Sequence, residues 1–322
     1  MARTIVGVLR GGTSSEYDLS LKTGAAMLNA LPEDSYDTRD ILIDKSGLWH
    51  SRGMPVDPSR ALQQVDVVLN GLHGGVGEDG TVQRILERAG VPYAGSSPLA
   101  SALSLNKIRA AHVLRHAGIR MPQSAAFVAR PGMDTGEMAK LVFAEFGPPY
   151  IVKPALEGAS NGILIAASIV DLPDTLADVL DAYGSVLVEQ YVRGENATVG
   201  IIEDFRGEDV YALPPVHILV PDNAEILHFA HHTQGGNQHL VPSDFSTSDK
   251  KALVDMAKQA HRALGLSDFS RADFIVTKHG PYLLEVNSLP GLHEHASFPH
   301  MLTSVGSSIK GFLEHAVGLG RG

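Results

Sequence analysis

Apolar residues fall in short runs along the first third of the chain, each followed by a turn and then an amphipathic stretch. Residues 4–9 form an apolar run that enters Gly11-Gly12-Thr13-Ser14-Ser15-Glu16, and the helical periodicity begins near Leu19 and lasts to Leu31. Residues 40–44 and 66–70 predict two further strands, and the second leads through a glycine-rich loop into a helix over 82–89. Strand, glycine turn and helix in repetition predict a parallel α/β domain. Residues 97–118 predict a helix linking this domain to the next. From Met121-Pro122 the pattern changes to a strand-rich α+β arrangement, with apolar runs at 150–154, 163–167, 186–192, 198–202 and 210–213. An amphipathic helix over 248–264 ends at Gly265, and two apolar runs, 271–276 and 282–287, are joined by Lys278-His279-Gly280-Pro281 as a hairpin.

That hairpin carries the clearest chemistry. Asp273 interrupts its first strand, and Glu285 and Asn287 interrupt the second. Residues two apart share a face of a strand, and a hairpin can bring Asp273 to that face as well. Two carboxylates and an amide on one buried face repel each other unless a cation joins them. Oxygen ligands without His or Cys suit Mg²⁺ or Mn²⁺, which in such sites usually also holds nucleotide phosphates. A surface hairpin with ordinary exposed acids is the plain alternative.

Other polar residues stand where a ligand could meet them. Glu16, at the mouth of the first turn, suits a substrate ammonium or a helix-start acid equally well. His73 lies in the run of glycines 71–80, at the carboxyl edge of the sheet where α/β folds bind ligands. Lys153 lies within an apolar strand, before Glu157-Gly158-Ala159-Ser160-Asn161-Gly162, whose backbone N–H groups could wrap phosphates. A snorkelling lysine beside a mobile loop would look the same. Glu189 and Gln190 end a strand that could hold a purine edge, and Glu195 and Asn196 could reach a ribose. Residues 223–242 hold His228, His231, His232 and His239 around Gly235-Gly236; their spacing matches no common zinc pattern and reads as a mobile lid.

Composition removes rival classes. The formal net charge is −10 with no Lys/Arg block, which argues against a nucleic-acid surface. Cysteine is absent, excluding disulfides, zinc thiolates and cysteine nucleophiles. No apolar run approaches a membrane span, and the run before Arg10 is too short for a signal peptide. The expectation is a cytoplasmic enzyme acting on small molecules.

Six motifs in order, GGTSSE at 11–16, LHGGVGEDGT at 72–81, SALSLNK at 101–107, IVKP at 151–154, RADF at 271–274 and LLEVNSLPG at 283–291, resemble those of the D-alanine–D-alanine ligases of the ATP-grasp superfamily. The likeness covers nearly the whole chain. It implies an ATP-grasp fold, α/β and α+β, with an N-terminal parallel α/β domain at 1–104, a central subdomain at 105–188 and a C-terminal subdomain at 189–322 whose lid is 223–242. It also implies ATP as cofactor with two Mg²⁺ or Mn²⁺ ions, D-amino acids as substrates, a homodimer, and a place in peptidoglycan biosynthesis. Lys107, Lys153, Gly158, Ser160 and Asn161 would bind phosphates. Glu189, Gln190 and Val192 would line the adenine site, with Glu195 and Asn196 near the ribose, and Asp273, Glu285 and Asn287 would hold the metals. Arg271 and the Gly291 N–H would stabilise a tetrahedral intermediate. Glu16 would take the first ammonium, with His73 near the matching carboxylate.

Four departures from the family pattern fall on substrate recognition. Ala159 stands where a Ser is usual, and His231 and His232 take the places of a lid Lys-Tyr pair. Ala296 replaces the Ser that holds the acceptor carboxylate, although Ser297 is adjacent. Asn196 replaces a ribose Glu, with Glu195 one residue earlier. His232 titrates near neutral pH, where a Tyr does not, so its charge could bias acceptor choice. The expected activity is D-alanyl-D-alanine synthesis through an acyl phosphate. A different dipeptide, a D-alanyl-D-lactate-type depsipeptide, or a nucleotide-binding protein without ligase activity are the alternatives.

Overall fold

The computed structural model describes residues 3–219 and 238–321, with three sheets in chain order among them. The first comprises β1 (Thr4–Gly11), β2 (Tyr36–Ile43), β3 (Trp49–Ser51), β4 (Met54–Pro55), β5 (Val67–Asn70) and β6 (Tyr93–Ala94), ordered β4-β3-β2-β1-β5-β6. β1, β2, β5 and β6 run parallel, while β3 and β4 form an antiparallel edge that the sequence pattern did not reveal. Parallel neighbours need crossovers. Helix Tyr17–Ala30 supplies the one from β1 to β2, and Thr81–Ala89 the one from β5 to β6.

The second sheet is antiparallel, with β7 (Ser124–Val128), β8 (Tyr150–Pro154), β9 (Leu164–Ala166) and β10 (Ser185–Gln190) ordered β7-β10-β8-β9. Helices Thr135–Glu145 and Leu172–Tyr183 cover it; Val142, Leu172, Leu176 and Val179 pack on Tyr150, Val152, Val186 and Val188. The third sheet holds β11 (Glu195–Phe205), β12 (Glu208–Ala212), β13 (Val216–Leu219), β14 (Gln238–Leu240), β15 (Phe269–Thr277) and β16 (Gly280–Asn287). Helix Thr247–Ala263 covers one face through Leu253, Ala257 and Ala260. It starts where Ser246 accepts the Asp249 N–H at 3.1 Å, one residue before the expected start.

The linker expected as one helix is two, Pro98–Leu105 and Lys107–His116. Asn106 breaks it: its backbone is extended, and its side chain accepts the Arg109 N–H at 3.1 Å, capping the second helix. Lys107 therefore stands at a helix start, its own N–H donating to Ala155 O at 2.9 Å.

The last helix, Ile309–Arg321, returns to the first sheet. Phe312, Leu313, Ala316 and Val317 pack with Val6, Val8, Val67 and Leu69 in one core. Gly320 allows this approach, because a Cβ there would meet the β6 backbone at 2.8 Å. Arg321 then reaches Thr4 Oγ1 at 3.1 Å.

Candidate active site

A cleft between the second and third sheets gathers most of the polar residues singled out in the sequence: Glu16, His73, Lys107, Lys153, Gly158, Ser160, Glu189, Gln190, Val192, Asn196, Arg271, Asp273, Glu285, Asn287, Gly291 and Ser297 all line it. Two described residues do not: Asn161 turns its amide to Glu157 at 2.8 Å, and Glu195 is exposed at the start of β11; His231 and His232 lie outside the described residues.

β15 and β16 form the floor. Asp273 pairs with Glu285 and Arg271 with Asn287, but Phe274 pairs with Leu283, so Leu284 is one residue extra. This bulge shifts the alternation. Leu283 stays in the core behind the sheet, while Leu284, Glu285 and Asn287 line the cleft. The sequence pattern called for a cation to join these acids, and side-chain cations of the protein meet both of them. Arg271 clamps Asp273 with Nε at 3.0 Å and Nη2 at 2.7 Å, and Lys107 Nζ reaches Glu285 Oε2 at 2.6 Å. Thr198 Oγ1 and Asn287 Nδ2 also donate to Asp273, at 2.7 and 3.0 Å. Burial works to raise the Glu285 carboxyl, yet Lys107, Lys153 and Arg271 hold it down to about 2.

The donor set fits a hard cation that takes part of its shell elsewhere. No group of three acids, histidines or cysteines among the described residues could hold a metal alone. Two carboxylates and one amide oxygen leave room for phosphate oxygens and water, as Mg²⁺ prefers. Lys153 and Glu189 form a deeply buried ion pair, their side chains 7% and 2% exposed. The second carboxylate oxygen of Glu189 is buried with no hydrogen-bond partner. A buried acceptor left this way costs free energy until a donor arrives, and an adenine amino group is such a donor. Above the floor, Ala159 and Ser160 have φ of 46° and 61°, in the left-handed region, and close a turn in which the Asn161 N–H donates to the Gly158 C=O at 2.9 Å. Glu157 ties this loop to the first sheet, accepting Ser15 Oγ at 2.9 Å.

Glu16 separates the two readings open to it. It occupies the N-cap position of helix Tyr17–Ala30, but its side chain makes no capping hydrogen bond. The carboxyl is buried under two glycines: a Cβ on Gly158 would come 2.4 Å from its Oε1, and one on Gly74 2.6 Å. Burial, then the charge of Glu78, pushes it up to about 8. Gly158 has no left-handed backbone to strain, so the direct effect of Gly158→Ala on Glu16 is this clash. That variant is expected to displace Glu16 and to raise the KM of the first substrate by about tenfold or more, a change worth ~1.4 kcal/mol. Steady-state kinetics check it; an unchanged KM would mean that Glu16 does not meet that substrate.

His73 is buried and donates to or accepts from Thr23 Oγ1 at 2.8 Å. Burial, then His293 and Arg271, lowers it to about 3, so it is neutral. Two lining residues escaped the sequence reading. Glu78 sits in the glycine run and accepts the Gly74 N–H at 2.7 Å and Ser288 Oγ at 3.3 Å. Its signal was an acid inside a glycine loop. His293, in Leu292-His293-Glu294-His295, is 7% exposed and packs over Gly291.

Known proteins match this arrangement. The family model described as D-ala D-ala ligase C-terminus matches residues 113–317, and the one for the D-ala D-ala ligase N-terminus matches 50–96. A D-alanine–D-alanine ligase of Geobacter sulfurreducens is 38% identical over 296 residues, 90% of this chain and 85% of that one. The chain belongs to the D-alanine–D-alanine ligase family. Two solved structures, each 26% identical, share its fold: the VanG D-Ala:D-Ser ligase of Enterococcus faecalis (TM-score 0.85, covering 99% of this chain and 100% of that one) and the D-alanine–D-alanine ligase of Bacillus anthracis complexed with ATP (TM-score 0.80, 99% and 97%). The ATP-grasp architecture expected from the motifs is thereby borne out. Among the described residues no helix is long and apolar enough to cross a membrane.

Proposed function

We propose that this D-alanine–D-alanine ligase family member joins two D-alanine molecules at the expense of ATP, through an acyl phosphate. The observation that carries the reading is the convergence on one cleft of Lys107, Lys153, Arg271, Asp273, Glu285 and Asn287 beside the buried, unsatisfied oxygen of Glu189. Adenine docks against Glu189, Gln190 and Val192, and the phosphates lie between Lys107, Lys153 and the loop at Gly158 and Ser160. Asp273, Glu285 and Asn287 hold Mg²⁺, which when bound neutralises charge on the transferring phosphoryl group. Glu16 takes the ammonium of the first amino acid and orients its carboxylate towards ATP. Once the acyl phosphate forms, Arg271 and the Gly291 N–H meet the oxyanion created by the attacking amine. A closed cleft protects the acyl phosphate from hydrolysis. A cytoplasmic homodimer serving peptidoglycan synthesis completes the proposal.

A second reading changes the acceptor only. Ala296, at the N-cap of helix Ser297–Ser304, offers no hydroxyl to a carboxylate, and the neighbouring Ser297 is the first helical residue. An acceptor such as D-serine or D-lactate is therefore the alternative. Phosphate release from ATP, with and without D-alanine, and mass analysis of products in competition with those acceptors separate the two. No ATP turnover with any D-amino acid would reject both and leave a nucleotide-binding protein.

A further inference from the structure

The acceptor amine must lose a proton as it attacks, and none of the residues assigned above takes it. His73 is buried, neutral and bonded to Thr23, while Glu16 lies against Gly74 and Gly158 on the loop side. His293 is placed differently. Its Cδ2 and Nε2 lie 3.1 Å from where a Cβ on Gly291 would stand, so the ring edge covers the Cα of the residue whose N–H the ligase reading gives to the oxyanion. Ala296 Cβ is 3.4 Å from the same point, at the acceptor end. The backbone on either side is held: Leu292 N–H donates to Thr23 Oγ1 at 3.4 Å, and His293 C=O accepts the Ala296 N–H at 2.9 Å. Both His293 and Arg271 act on His73 through their charge, and His295 lines the cleft as well.

We infer that His293 is the general base of the second half-reaction, a role that rests on the ligase reading. The acceptor enters as an amine, having given one proton to solvent. Its lone pair forms the N–C bond, the carbonyl π pair moves to oxygen, and His293 takes the proton from the now positive nitrogen. The carbonyl re-forms, the C–O bond to the phosphoryl group breaks with its pair on the phosphate oxygen, and the imidazolium returns the proton to that phosphate.

Hydroxylamine, neutral at pH 7, captures acyl phosphates without needing a protein base and isolates this step. With His293→Gln, dipeptide formation should fall about 100-fold, in line with the usual worth of a general base. Hydroxamate formation from ATP, D-alanine and hydroxylamine should stay near the wild-type rate. In His293→Ala, added imidazole should restore part of the dipeptide rate, which supports the role even if the Gln variant folds poorly. Equal loss of dipeptide and hydroxamate in both variants with no imidazole rescue, or no loss at all, overturns the inference while leaving the ligase reading standing. Absence of ADP formation by the wild type with D-alanine overturns both.

Discussion

Glu285→Gln is expected to lower turnover by about 10³-fold or more while the chain still folds. The substitution removes one of the two carboxylates proposed to hold the cation, and preorganised charge at a transferring phosphoryl group is commonly worth that much. Repulsion between Asp273 and Glu285 on one face would by itself make the substitution raise the melting temperature of the ligand-free protein. The structure reverses that expectation. Glu285 is held by Lys107 at 2.6 Å and feels Lys153 and Arg271, so its removal leaves three cations with less compensation. A loss of roughly 2 kcal/mol is expected, below the cost of breaking a fully buried pair because the Glu285 side chain keeps 27% exposure. The carboxyl titrates well below its ordinary 4.5 when folded, so its contribution is complete above that value and fades as pH falls towards 2. Thermal melts of both proteins from pH 3 to 7 should draw closer towards the acid end without yet meeting there. A higher melting temperature for the Gln variant at pH 7 would mean that the lysines do not hold this carboxylate.

Glu16→Gln should act in the opposite direction on stability while also lowering activity. A carboxyl pushed from 4.5 to about 8 binds a proton in the folded protein that the unfolded chain has already released at neutral pH. Stability therefore falls as pH rises from 4.5 to 8, by roughly 3 kcal/mol at pH 7 from this group. Gln carries no such penalty, so the ligand-free variant should melt several degrees higher at pH 7 and match the wild type near pH 4. It cannot pair with an ammonium, and turnover should drop about 100-fold. Binding of the first amino acid to the wild type at pH 7 should release close to one proton, seen by calorimetry in two buffers of different ionisation enthalpy. Equal melting temperatures across the range would show that Glu16 is already ionised in the empty cleft.

Legibility in the sequence followed how local each cause was. Asp273, Glu285 and Asn287 stood out because acids inside apolar runs are rare and a strand has a period of two. Lys153 stood out for the same reason. The bulge at Leu284 was not legible: Leu283 and Leu284 are chemically alike, and only the register to β15 tells which faces the core. The helix break at Asn106 had a local cause, a capping residue amid helix formers, but the longer periodic pattern hid it. The cations that join the acids were visible one by one, yet the Lys107–Glu285 contact spans 178 positions and no spacing rule predicts it. Glu78 and His293 were hidden in loops, where residue type alone does not say which side chain turns inward.

The return of helix Ile309–Arg321 to the first sheet has a consequence for how the chain comes to be folded. β1 and β5 are synthesised early, yet Val6, Val8, Val67 and Leu69 share their core with Phe312, Leu313, Ala316 and Val317. At ribosomal speeds those apolar strands wait on the order of tens of seconds for their cover. Of the three sheets described, the one translated first is sealed last, so the nascent chain stays sticky there, and a truncation that removes only this helix exposes a surface far from the cut in sequence.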